Sequence, residues 1–283
     1  LYNDRSHWGG LVEFGSFEFV NGKEITITVT YAKEIRSYEL LPIHRLDLLS
    51  VKQKGKHTIE IRTARADQNI TIVVNGEPKK DVLHLFCNSV DSNAPKVKDA
   101  TGYHRYDDER LHYFGPGFHD LRQIFKDKDM LVLDNGWRVY VAAGAVLYGR
   151  IGLWGTQKGT KVYGRGMIYN DTQNPHVVFE ANECQGADVE GVLMHAHRPG
   201  VWQVVVNHCR NVEFKGVKIL STRYASTDGL DIVNCQQCAF LNTFIRANDD
   251  AVAIKGLENK LPAECDPNRN LTFCGMELWN DCN

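Results

Sequence analysis

The sequence has almost no charge imbalance, no long apolar run and no helical periodicity. Its 283 residues carry 33 basic and 35 acidic side chains, a net charge of -2. Nucleic acid and anionic membrane surfaces favour a basic face, so neither is expected as a partner. A bilayer-spanning helix needs about 18 consecutive apolar residues, and no such run occurs. The chain opens Leu1-Tyr2-Asn3-Asp4 with neither an initiator Met nor a signal peptide, and reads as a trimmed mature sequence. Cysteine is not scarce, but metal spacing is: of eight cysteines only Cys235 and Cys238 form a Cys-x-x-Cys pair, and no second pair follows. The thiols read as small buried hydrophobes. Disulfide pairing stays open, and neither a metal nor a cofactor is expected.

What is present is β pattern. Up to about Val90, apolar residues alternate at Phe17 and Phe19, at Ile25, Ile27 and Val29, at Ile59 and Ile61, at Ile70, Ile72 and Val74, and at Leu83 and Leu85. Asn21-Gly22 and Asn75-Gly76 punctuate them, because both residue types accept positive φ. This predicts a small antiparallel β-sandwich over 1–95. The polar stretch 96–113 has no apolar periodicity and reads as a linker. From 114 onward, short strands broken by glycines, as in Val139-Tyr140-Val141-Ala142-Ala143-Gly144-Ala145-Val146-Leu147-Tyr148-Gly149, suit a chain that turns sharp corners.

A repeat follows. Units beginning at Val162, Val189, Val212, Cys238 and Leu271 align with steps of 27, 23, 26 and 33 residues. Strand-like units of irregular period, without a leucine-rich consensus, predict a parallel β-helix with turns of variable length. The fold class expected is therefore all-β, an N-terminal β-sandwich followed by a right-handed parallel β-helix over 114–283, its last coil continuing beyond Asn283.

On this scaffold the acidic residues fall into a pattern. Ser226-Thr227-Asp228-Gly229-Leu230-Asp231 precedes Asn248-Asp249-Asp250-Ala251, and no Asp or Glu lies between Ile232 and Ala247. Asp249 and Asp250 follow Asp228 by 21 and 22 residues, about one coil. Successive coils lie ~4.8 Å apart, so three carboxylates share one patch. Like charges there favour retention of a proton by one of them, the acid and base pair that glycoside hydrolysis uses. Alternate residues of a straight strand face opposite sides, so a bend is predicted at Asn248-Asp249. Any one of these Asp residues taken alone is more often a solvated turn residue than a catalyst, and it is the three in this order and spacing that point to chemistry.

Ser-Thr-Asp-Gly-Leu-Asp-Ile followed by Asn-Asp-Asp-Ala-Val-Ala-Ile resembles the signature of the polygalacturonase family, glycoside hydrolase family 28. Around Asn248-Asp249-Asp250-Ala251 it is also similar to the dextranases and isopullulanases of family 49, which pair an N-terminal β-sandwich with a β-helix. The resemblance implies an inverting hydrolase of α-linked polysaccharide bonds, with Asp249 as general acid and Asp228 and Asp250 positioning and deprotonating water. It implies a pectic substrate. Ser226 replaces the usual Asn, however, and neither a Gly-His-Gly nor an Arg-Ile-Lys segment follows. Trp279-Asn280-Asp281 is more similar to the dextranase side, which keeps an α-glucan substrate open.

Substrate-binding candidates flank the acids. His197 and Trp202 lie one coil earlier, beside His195 and Arg198, while Arg223 and Tyr224 stand just ahead of Asp228, and Trp279 lies one coil later. A Trp or Tyr ring can stack on a sugar face, and Arg can grip hydroxyls or a carboxylate. Lys255 suits a uronate carboxylate, or is an exposed strand-end lysine. Asp231 reads as a structural acid. Two other classes stay in play: a Ca²⁺-dependent β-helical lyase, with Arg246 or Lys255 as base, and a non-catalytic carbohydrate-binding β-helix. A polysaccharide or oligosaccharide partner places the protein outside the cytoplasm, secreted or periplasmic.

Overall fold

The computed structural model describes residues 12–156, 158–171, 177–197, 202–222, 226–256 and 267–281. They fall into two compact units that divide between Ser92 and Asn93.

In the first unit the alternating Ile and Val residues build two sheets. Ile25–Thr30, Thr58–Thr63 and Ser50–Gln53 form an antiparallel three-stranded sheet in that order. Glu13–Phe19, Val82–Ser89, Gln68–Val74 and Tyr38–Leu41 form a four-stranded one. Its first pair is parallel, where the alternation predicts antiparallel strands throughout. The two strands are joined through the rest of the unit and not by a hairpin, so no tight turn dictates their direction. Ile59, Ile61, Ile70, Ile72 and Leu85 share one core across both sheets. Each fully buried Ile contributes about 1.5–3 kcal/mol. Asn75 and Gly76 both have positive φ, 56° and 70°, as their residue types anticipate.

The second unit is a parallel β-solenoid. Among the described residues its first sheet has eight strands, its second seven and its third six, and successive coils pair in parallel throughout, apart from one antiparallel edge strand. That edge strand, Tyr103–Tyr106, lies within the stretch read as linker and pairs with Leu111–Phe114. Aromatic packing holds it, not apolar alternation: the Tyr103 ring centroid is 4.8 Å from that of Phe114, and its hydroxyl is 2.9 Å from His112 Nδ1.

Inside the first sheet Val139, Val162, Val189, Phe214, Phe240 and Phe273 stand in one column. Thr160, Ala187 and Val212 form the column two residues away. The repeat alignment placed Val212, Cys238 and Leu271 beside Val162 and Val189, which is two residues out of register. A two-residue slip preserves which side chains face inward, so the apolar pattern does not detect it. At a corner, Gly149 (φ 141°) has no room for a side chain, since a Cβ would come 2.6 Å from Asp129 O. Cys184, Cys209 and Cys235 are buried thiols, linked coil to coil by backbone N–H to sulfur contacts of 3.4 Å. Cys238 is also a buried thiol, so burial accounts for the Cys-x-x-Cys pair.

Candidate active site

The corner between the second and third sheets carries the acidic residues. On one coil it joins Lys218–Ser221 to Leu230–Val233, and on the next Phe244–Ala247 to Val252–Lys255. The third sheet pairs Val204 with Leu230 and Leu230 with Val252. Trp202, Asp228 and Asp250 each stand two residues before those partners, on three successive coils. Backbone bonds continue the ladder into the corner: Gln203 N donates to Asp228 O at 2.9 Å, Gly229 N to Asp250 O at 2.8 Å, and Asp249 N to Thr227 O at 3.4 Å. The chain bends at Asn248 and Asp249. Asn248 N donates to Ser221 Oγ at 3.2 Å, which ties the bend to the coil before it.

The three carboxylates stand in different surroundings. Asp228 is buried, Asp249 half-buried and Asp250 exposed. Asp249 Oδ2 accepts from Ser226 N at 3.1 Å, a contact made possible by the left-handed backbone of Ser226 (φ 57°). Asp228 Oδ2 accepts from Lys255 Nζ at 3.0 Å, and Asp231 Oδ1 accepts from the same ammonium. The Lys255 nitrogen also lies 3.6 Å from the centroid of the Trp202 ring. Carboxyl groups in unlike environments within one corner are what separate acid and base roles require.

The carboxyl whose pKa stands clearly above the ordinary range is Asp231, pushed up to about 7. Burial is the main cause and the Asp228 charge adds to it, against the opposing Lys255 ammonium. Sequence reasoning treated Asp231 as a spare structural acid. The available signal was its position among Leu230, Ile232 and Val233, an apolar strand in which a carboxylate needs a partner. Burial works against the charge on Lys255, but Asp231 and Asp228 outweigh it and hold the ammonium above its usual pKa.

The other candidates are dispersed. His197 follows the second-sheet strand one coil before Asp228, and its backbone N–H donates to Asn170 O at 3.0 Å. Its neighbour His195 is buried against Leu220 O at 2.9 Å, and burial lowers its pKa to about 4. Trp279 is half-buried one coil after Asp249 and donates from Nε1 to Asp281 Oδ1 at 3.0 Å. Asn280 reaches the Asp249 carbonyl through its side-chain amide. Arg246, considered as a lyase base, is 1% exposed and held fork to fork by Asp281. Arg223, Tyr224 and Arg198 lie outside the described residues.

Residues 120–267, just over half of the chain, match glycosyl hydrolases family 28. Among solved structures the chain is similar to Dex49A from Penicillium minioluteum, at 10% identity over 95% of this chain and 68% of that one, with a TM-score of 0.50. It is also similar to the family 28 exopolygalacturonase of Yersinia enterocolitica, at 9% identity over 92% of this chain and 66% of that one, with a TM-score of 0.43. No curated protein matches it. Among the described residues no helix is long and apolar enough to cross a membrane.

Proposed function

The chain belongs to glycosyl hydrolases family 28 and is a glycoside hydrolase acting on polysaccharide, and from that premise we propose that it cleaves α-linked bonds of a pectic chain with inversion. In this reading Asp249 gives its proton to the glycosidic oxygen as the bond to the anomeric carbon breaks. Asp228 and Asp250 hold a water on the opposite face and take its proton as it attacks that carbon. The observation that carries the reading is the stacking of Asp228 and Asp250 on adjacent coils through Gly229 N to Asp250 O, 2.8 Å, with Asp249 at the bend between them. Proton NMR of the first product formed is the test, since a hemiacetal of retained configuration overturns it.

A second reading, an α-glucan substrate, draws support from Lys255. Its ammonium, the group suited to a uronate carboxylate, is engaged by Asp228 and Asp231. Incubation with polygalacturonic acid and with dextran, followed by product analysis, separates the two. Trp202, Trp279 and His197 are assigned to sugar contact in either case, and an unchanged KM on replacing Trp202 by Ala overturns that role for Trp202. A polymeric substrate supports a secreted or periplasmic location, which fractionation of the producing cell tests.

The two N-terminal sheets are read as a β-sandwich on the strength of their shared core. The solenoid is read as right-handed because parallel crossovers overwhelmingly take that hand. A crystal structure with the opposite winding overturns the latter.

A further inference from the structure

Asp231 is a buried acid that the proposed chemistry leaves unused. Leu230 and Ile232 on either side of it point into the core, so alternation turns Asp231 to the outer face of the sheet. It is nevertheless 0% exposed. Lys255 from the next coil covers it, and the ammonium is enclosed by Asp231 Oδ1, by Asp228 Oδ2 at 3.0 Å and by the face of Trp202 at 3.6 Å. An ammonium has three N–H donors, and two carboxylates and one ring face occupy them. Asp231 Oδ2 is buried without a hydrogen-bond partner. A half-satisfied carboxyl at 0% exposure is costly to keep, and such groups call for an explanation.

We propose that Asp231 is a positioning residue for Asp228: it anchors the Lys255 ammonium, and the anchored ammonium sets the orientation and charge of the Asp228 carboxylate. This rests on the reading of Asp228 as a base toward water. Both carboxyl groups accept from one ammonium, so Lys255 is held between them and not by Asp228 alone. Asp228 therefore meets a donor that is itself fixed from the far side by Asp231. The raised pKa of Asp231 agrees with a group held chiefly by burial, with Asp228 and Lys255 as its charged neighbours. Asp249 and Asp250 are the further carboxylates of the same corner, and Trp202 brings a ring without charge.

The test is the pH dependence of kcat and KM in Asp231→Leu, Asp231→Asn and Lys255→Met, with Asp228→Asn as reference. Asp231→Leu is close in shape but offers Lys255 no acceptor, so the ammonium turns wholly to Asp228. The acidic limb of kcat should move to lower pH, and kcat should fall about 10- to 100-fold with KM little changed. Lys255→Met removes the cation, so the same limb should move up by about 1 pH unit or more. Asp231→Asn keeps an acceptor oxygen and should fall between wild type and Asp231→Leu. Shifts of opposite sign are not what a common loss of packing produces. Wild-type kcat and limb in Asp231→Leu, or an unmoved limb in Lys255→Met, overturn the proposal; should Asp231→Leu fail to fold, Lys255→Met alone decides. Full turnover in Asp228→Asn would instead remove the underlying reading of Asp228, whereas an inactive Asp228→Asn beside unaltered Asp231 and Lys255 variants removes only the present inference.

Discussion

Gly229 N donates to Asp250 O at 2.8 Å, and this bond aligns Asp228 with Asp250 across two coils. The approach leaves no space for a side chain, since a Cβ at Gly229 would come 2.3 Å from Ile245 Cγ2 and 2.7 Å from Ala251 O. Gly229→Ala should therefore shift the corner. Overpacking of this kind costs about 1–3 kcal/mol, and kcat should fall with it. Wild-type thermal stability and turnover together would show that the corner tolerates the methyl group.

Asp249→Asn should leave less than about a tenth of wild-type turnover, the loss expected when general acid catalysis is removed. Folding should persist, because Asp249 is half-buried and lies outside the core. Steady-state rates beside circular dichroism check both halves, and activity above that level sinks the assignment of Asp249.

Arg246 and Asp281 form a buried bidentate pair, Nε to Oδ2 at 2.9 Å and Nη2 to Oδ1 at 3.1 Å, and the same carboxylate accepts from Trp279 Nε1 at 3.0 Å. Removing one partner of a buried pair costs about 3–5 kcal/mol, whereas replacing both by apolar residues is often neutral. Asp281→Ala should lower the denaturant midpoint strongly, and the double variant Arg246→Met with Asp281→Leu should recover most of it. Equal midpoints for the single variant and wild type would contradict this.

Asp231 also makes stability depend on pH. An unfolded Asp titrates near ~3.9, and the folded value is about 7. A folded pKa above the unfolded one gives a contribution fully present below ~3.9 and lost as pH rises through about 7. Relative to Asp231→Asn, wild type should lose thermal stability between pH 5 and pH 8, by about 2 °C or more. Melting curves at the two pH values measure it, and a constant difference between the proteins refutes a buried, late-titrating carboxyl.

Activity should survive EDTA, with no product absorbing in the ultraviolet. A hydrolase of this kind takes its acid and base from carboxyl groups, while a lyase of acidic sugars needs a divalent cation and leaves an unsaturated ring. Loss of activity on chelation, restored by Ca²⁺, would be evidence against the carboxylate mechanism.

Local chemistry alone determined the β class of this protein, the solenoid and the neighbourhood of Asp228, Asp249 and Asp250. Alternating Ile and Val residues, Asn-Gly turns and a repeat of roughly one coil each carry a signal within a few residues of chain. Tertiary structure decided what depends on contacts between coils. The column of Val189, Phe214 and Phe240 lies two residues from the alignment the repeat suggests, because a slip of two leaves every side chain on its own face. The pairing of Glu13–Phe19 with Val82–Ser89 was equally hidden, since strand direction is written in a turn only when a turn joins the strands. Lys255 looked free to meet a substrate carboxylate, and Asp231 looked idle. Stacking one coil on the next brought them together with Asp228 and Trp202, at separations of 24, 27 and 53 residues from Lys255 that no local pattern connects.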